Sequence, residues 1–222
     1  MGMLYLVRHG QASFGAADYD QLSELGARQC RALGAWFAER GVQFEAVLRG
    51  ALRRHAQSLA AFTEGHGALP DALVLPGLNE YEGEALVRAL LPEIVDEVTT
   101  PQGYKRHFRT LREALAKWIA GELQPPGVPT HAEWVAGIVA ALEHVRASHS
   151  GNVLVVSSGG TIGTALGHVL GAPVATTIEL NMQMRNSAVS QLVYGPRGIS
   201  LVSYNHLPHL DAPERAGWVT YT

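Results

Sequence analysis

Short apolar runs along this chain alternate with longer stretches in which apolar residues recur every three or four positions, the pattern of strands interleaved with amphipathic helices. Met3 to Val7 is apolar and rich in strand formers, so it reads as a strand buried on both faces of a parallel sheet. Leu22, Leu25, Gln29, Leu33, Trp36 and Phe37 then fall at helical spacing, with Ser23 placed as the N-cap, Glu24 in the first turn and Gly41 at the end. Phe44 to Leu48 is a second short apolar run. It leads into GALRRHAQSLAAF, a helix that opens at a strand end and presents Arg53, Arg54 and His55. Leu73 to Leu75 is a third strand candidate, closed by Pro76 and Gly77, and an acidic loop with Glu80, Glu82 and Glu84 follows.

From about 84 to 148 the strand signals vanish. Leu86, Leu90, Ile94 and Val98 suggest one or two short helices broken near Pro92. Tyr104, Phe108, Leu111, Leu115, Trp118, Ile119 and Leu123 form an amphipathic stripe. A proline-rich loop, Gln124 to Pro129, separates it from a capping box, Thr130 with Glu133, that opens a helix through Trp134, Ile138, Leu142 and Val145. Asn152 to Val156 is the next buried strand, and SSGGT turns it into a helix from Ile162 to Leu170. Thr176 to Leu180, Ala188 to Tyr194 and Ile199 to Tyr204 read as three more strands, the last two joined as a hairpin through GPRG. The tail, HLPHLDAPERAGWVTYT, is expected on the surface. The expected fold is α/β: a three-layer sandwich, one domain over 1–222, with a mostly parallel sheet, helices on both faces, and a helical insertion at about 84–148 over the sheet's C-terminal edge. Trp118 and Trp134 are expected in the core of that insertion, which would serve as a lid.

Composition narrows the partners. Seventeen basic against 20 acidic residues give a net charge of −3, so neither nucleic acid nor an acidic membrane is expected, and a small anion would have to be drawn by a local cluster. The single cysteine, Cys30, leaves no intrachain disulfide and no cysteine-built zinc site, in keeping with a reducing compartment. No signal-type amino terminus and no apolar run of about 18 residues is visible, so a cytoplasmic protein is expected. The ten histidines are scattered, without an H-E-x-x-H pair, and no metal or other cofactor is expected.

Candidate chemistry gathers at strand ends. Parallel sheets place ligands at the carboxyl ends of their strands, and the first strand delivers Arg8, His9 and Gly10 there. Arginine offers a rigid fork of donors that matches phosphate oxygens, and a neutral imidazole can attack phosphorus and carry the phosphoryl group. Gly10 admits close backbone approach. Gln11 and Ser13 follow, able either to bond a substrate or to shape the loop. The SSGGT turn, with Ser158 and Gly159, feeds a helix amino terminus, an anion site through its N–H groups. It has neither the lysine of a P-loop nor the G-x-G-x-x-G spacing, which disfavours a nucleotide.

The order of these features resembles the histidine phosphatase superfamily, in its phosphoglycerate-mutase-like branch, over almost the whole chain. LVRHGQA is similar to the family's opening motif, LSELGARQCRALG to its following helix, GALRRHAQS to its second arginine segment, LNEYEG to the stretch holding its proton donor, and VLVVSSGGTIG to the stretch that normally reads S-H-G-G. The resemblance implies that His9 is the nucleophile that becomes a phosphohistidine, that Arg8 and Arg54 clamp the phosphoryl oxygens, and that Glu80, or alternatively Glu82, is the acid. Arg53 points about 100° away on its helix and reads as a solvated arginine. Where the family carries a second histidine, this chain has Ser158, a donor without charge. By analogy with the loss of one oxyanion-hole donor, that exchange would cost roughly 10²- to 10³-fold in rate, about 3 to 4 kcal/mol.

The function this implies is hydrolysis of a phosphate monoester or phosphoramidate, on a small phosphorylated substrate or a phosphoprotein. No metal is needed, since two arginines take its electrostatic place. Two alternatives stand beside it: a phospho-metabolite-binding protein with a degraded site, favoured by Ser158, and a mutase-type phosphoryl transferase. Arg88, Lys105, Arg106, His107 and Arg109 are candidate substrate contacts from the insertion. His206 and His209 after the last strand read as structural, with rescue of the missing histidine by either as the sharper alternative. A homodimer is left open.

Overall fold

The computed structural model describes residues 1–13, 20–92 and 100–221. Its centre is a six-stranded sheet made of β1 (Gly2–Arg8), β2 (Ala46–Arg49), β3 (Ala72–Val74), β4 (Asn152–Ser157), β5 (Val189–Gly195) and β6 (Gly198–His206). The strand order is β3-β2-β4-β1-β5-β6. The first four strands in that order run parallel, and β5 and β6 form an antiparallel hairpin beside β1. Arg8 lies opposite Ser157 in the β1–β4 register, so the two candidate motifs leave the sheet side by side.

Period-two alternation divides the core. Leu4 and Leu6 of β1 with Val153 and Val155 of β4 face one side. They pack against Ile138, Leu142 and Val145 of one helix, α5 (His131–Ser148), and Ile162, Ala165 and Leu166 of another, α6 (Gly159–Leu170). Val7, Leu154 and Val156 face the other side, against Leu33 and Phe37 of α1 (Glu24–Glu39) and Phe62 of α2 (Arg53–His66). Both faces being covered explains why β4 reads as an unbroken apolar run. The two caps expected at Ser23 and Thr130 form. Ser23 Oγ accepts the Gly26 N–H at 3.0 Å, and Thr130 and Glu133 close a reciprocal box.

The helical stretch expected as a lid divides in two. Helices α3 (Gly83–Leu90) and α4 (Pro101–Ile119) build a separate cluster of Leu86, Val87, Leu111, Leu115 and Trp118. Helix α5 instead belongs to the sheet's own covering layer, because its stripe of Ile138, Leu142 and Val145 meets β1 and β4. Ile94 and Val98 lie outside the described residues.

Two expectations are overturned. Thr176 to Leu180 is helical, within α7 (Val174–Met182), despite its β-branched residues. Pro173 precedes the first turn, the Thr177 hydroxyl donates back to the Pro173 carbonyl at 3.2 Å, and Ile178 is buried in the α3–α4 cluster, so tertiary packing outweighs strand propensity. The tail also does more than lie on the surface. Leu207, His209 and Leu210 are buried, and Gln29 of α1 donates to the Trp218 carbonyl at 2.6 Å and to Thr220 Oγ1 at 3.0 Å. Among the described residues no helix is long and apolar enough to cross a membrane.

Candidate active site

The carboxyl ends of β1 and β4, the start of α2 and the loop after β3 bring together Arg8, His9, Arg54 and Ser158, all buried, with Glu80 half-buried beside them. His9 is anchored through its own backbone, whose N–H donates to the Ser157 carbonyl at 2.8 Å. Its Nδ1 stands 2.7 Å from the Gly10 carbonyl oxygen, which can only accept. The proton therefore sits on Nδ1 and the lone pair on Nε2. Burial, then the charges of Arg8 and Arg54, hold the imidazole well below its ordinary pKa. The ring is thus neutral at neutral pH, with its lone pair on Nε2.

Gly10 is required by packing. A Cβ there would overlap the main chain of Gly26 in α1, so only glycine lets the turn after β1 lie against that helix. The Gly10 N–H donates to Ser58 Oγ at 3.1 Å, tying the turn to α2 as well.

The two arginines are held in different ways. Arg8 uses Nη1 to donate to two main-chain carbonyls, those of Met184 and of Tyr221, the latter at 2.7 Å. The tail thereby braces the guanidinium. Arg54 is buried, and its Nη1 meets Asp20 Oδ1 at 2.8 Å. Arg53 is exposed, as its helical offset implied.

Glu80 sits against the start of α6. Its Oε2 accepts the Gly160 N–H at 2.9 Å and its Oε1 accepts the Tyr81 N–H at 3.2 Å. Burial raises its pKa, outweighing those two N–H groups and the attraction of Arg54 and Arg8. A carboxyl so placed holds a proton more readily than a surface one, which a general acid needs. Glu82 is exposed at the start of α3, so the geometry favours Glu80 over it. The loop carrying Glu80 is fastened from three sides. The Asn79 carbonyl accepts from Trp134 Nε1 at 3.0 Å and Thr161 Oγ1 at 2.9 Å, and Asn79 Oδ1 accepts from the Ala51 N–H at 2.6 Å.

Ser158 is fully buried at the N-cap of α6, with Gly159 packed beside the Arg8 guanidinium. The serine hydroxyl does not cap the helix. It lies 2.7 Å from His55 Nε2 and 3.5 Å from Arg54 Nη2. The His9 and His55 ring centroids are 5.8 Å apart. His206 is exposed and His209 pairs with Ser187 at 2.9 Å, so neither side chain is bonded to Ser158.

Gln11 and Ser13 shape the loop in this structure. Gln11 Oε1 accepts from Ser23 Oγ at 3.0 Å, and the Ser13 N–H donates to the Gln21 carbonyl at 2.8 Å. Arg88, Lys105, Arg106 and Arg109 are exposed, Arg88 in an ion pair with Glu84 at 2.8 Å. Sequence reasoning missed Asp20, which no motif marks, and the bracing of Arg8 by the tail. For His55 the signal was present, since it follows Arg54 at a helix start, but its bond to Ser158 depends on a contact 103 positions distant.

Comparison with known proteins bears on the family and the fold. The family described as histidine phosphatase superfamily (branch 1) matches residues 4–207. A relative from Hydrogenobacter thermophilus, named "Putative phosphoserine phosphatase 2", is 25% identical over 223 residues, spanning 94% of this chain and 98% of that one. Among solved structures, a mycobacterial glucosyl-3-phosphoglycerate phosphatase is 23% identical with a TM-score of 0.65, covering 92% of this chain and 99% of its own. YhfR of Bacillus stearothermophilus, 15% identical, superposes with a TM-score of 0.68 over 94% of this chain and 99% of its own. The motif order, the sheet topology and a family match over nearly the full length lead to one conclusion: the chain belongs to the histidine phosphatase superfamily.

Proposed function

We propose that the protein hydrolyses phosphate monoesters through a phosphohistidine on His9. The observation that carries this is the position of His9: its Nδ1 stands 2.7 Å from the Gly10 carbonyl oxygen, which can only accept, so the lone pair is left on Nε2 beside two buried guanidinium groups. Nε2 attacks phosphorus, the N–P bond forms as the ester P–O bond breaks, and the proton of Glu80 passes to the leaving oxygen. Water then attacks phosphorus and the N–P bond breaks. The water's proton returns to the Glu80 carboxylate, and inorganic phosphate leaves. Arg8 and Arg54 hold the phosphoryl oxygens throughout, a fixed positive field that costs no reorganisation during reaction. The amino end of α6 adds its partial positive charge.

Family membership and relatives named as phosphatases support this reading, and they set the substrate panel. Phosphoserine, glucosyl-3-phosphoglycerate and p-nitrophenyl phosphate should be offered to the unsubstituted protein and to His9→Ala. Phosphate release that vanadate inhibits and His9→Ala abolishes is the expected result. No release from any ester by the unsubstituted protein would count against it and in favour of a binding role.

A further inference from the structure

We propose that His55 is a positioning residue for Ser158: its Nε2–H donates to Ser158 Oγ, which turns the serine's own proton onto the phosphoryl group held at His9. The inference rests on the phosphohistidine reading above and adds to it a third oxyanion donor built from two side chains.

A serine hydroxyl has one proton to give and two lone pairs to fill. Serine at an N-cap ordinarily fills one by accepting a helix N–H, yet Ser158 does not, and its oxygen has two side-chain neighbours instead: His55 Nε2 at 2.7 Å and Arg54 Nη2 at 3.5 Å. Arg54 can only donate. The direction of the His55 bond follows from the other end of the ring. His55 is fully buried and its Nδ1 has no hydrogen-bond partner. If Nε2 accepted from the serine, Nδ1 would carry an N–H with nothing to receive it, and orphaned buried N–H groups are rarer and costlier than an idle lone pair. Nδ1 faces Gly50 so closely that a Cβ there would overlap the ring. The ring is therefore a fixed donor through Nε2. Burial, aided by Arg54 and Arg49, lowers its pKa to about 3, so it acts as a neutral donor at any working pH. With both lone pairs of Ser158 Oγ occupied, its proton is left for an anion. The alternative role, Ser158 as a nucleophile with His55 as base, needs the opposite tautomer and leaves the Nδ1 proton unanswered.

The test is a four-variant series, Ser158→Ala, His55→Ala, the double variant and His55→Gln, read by orthovanadate affinity and by kcat and KM on p-nitrophenyl phosphate. Ser158→Ala and His55→Ala should each weaken vanadate binding and kcat by about 10²-fold with little change in KM, on the scale of one lost oxyanion donor. The double variant should be no worse than either single one. His55→Gln, which keeps an N–H near the Nε2 position, should recover most of the loss. The proposal is overturned if His55→Ala stays within about twofold of the unsubstituted protein, if the two losses multiply, if an acid-stable phosphoserine forms at Ser158, or if vanadate does not bind the unsubstituted protein. Vanadate binding with this pattern but no turnover would remove the phosphatase reading and leave the His55–Ser158 donor standing.

Discussion

Asp20 caps the helix that carries Arg54. Its Oδ2 accepts the Arg53 N–H at 2.8 Å, its Oδ1 accepts the Arg54 N–H at 3.3 Å, and Oδ1 also meets Arg54 Nη1 at 2.8 Å. Leu52, the residue at the N-cap, has no oxygen on its side chain to do this. One carboxylate therefore fixes both the helix start and the guanidinium plane.

Asp20→Ala should lower stability by about 1 kcal/mol, the usual worth of a lost cap, since the ion pair is water-exposed on the aspartate side and adds little. It should also cost roughly tenfold in kcat/KM, because under the proposed reading a misplaced Arg54 guanidinium loses more hold on the phosphoryl oxygens than the relief of a screened negative charge returns. Asp20→Asn should keep the cap and most of the stability while losing part of the activity. Chemical denaturation and steady-state kinetics of the two variants check this. Equal stability of Asp20→Ala and the unsubstituted protein would refute the capping role.

Glu80 should set the basic limb of the pH profile. A general acid must be protonated in the free enzyme, so activity falls as pH rises through its pKa, which burial lifts above the ordinary carboxylate value. Glu80→Gln should remove that limb. It should slow turnover of alkyl phosphates, whose leaving oxygen needs the proton, by 10²-fold or more, and that of p-nitrophenyl phosphate much less. Equal losses on both substrates would show that Glu80 does not protonate the leaving group.

Three buried histidines make stability fall on the acid side. His9, His55 and His209 all have pKa values below the ordinary imidazole value, chiefly through burial, with His55 and His209 each near 3. The unfolded chain then binds more protons than the folded one below about pH 6.5, and stability is present above that pH and lost as pH falls through it. A neutral buried histidine contributes up to about 2 kcal/mol of that loss by pH 5. His209→Gln should therefore flatten the decline in denaturation midpoint between pH 6.5 and 5. An unchanged slope would mean that His209 is not held neutral.

Much of this was legible beforehand, for physical reasons that differ by element. Strands β1 and β4 announced themselves because a sheet covered on both faces demands continuous apolar runs, and Ser23 and Thr130 because a cap is a local matter of a few residues. Arg8, His9, Arg54 and Glu80 were found through motif order, and the fold brings them together. What failed depended on distant packing. The α7 segment is β-branched, yet Ile178 is drawn into the cluster of Leu111 and Trp118. The tail is polar in sequence, yet its main-chain carbonyls serve Arg8 and Gln29, a use that composition does not register. In sequence Ser158 is a donor without charge, and nothing local shows that an imidazole from another helix stands against its hydroxyl.

The most direct measurement is rapid chemical quench of the unsubstituted protein mixed with a radiolabelled phosphate monoester, followed by location of the label. A base-stable, acid-labile phosphoryl group on His9 should form within one turnover and be missing from His9→Ala. Turnover accompanied by label on any other side chain, or by none at all, would contradict the phosphohistidine reading.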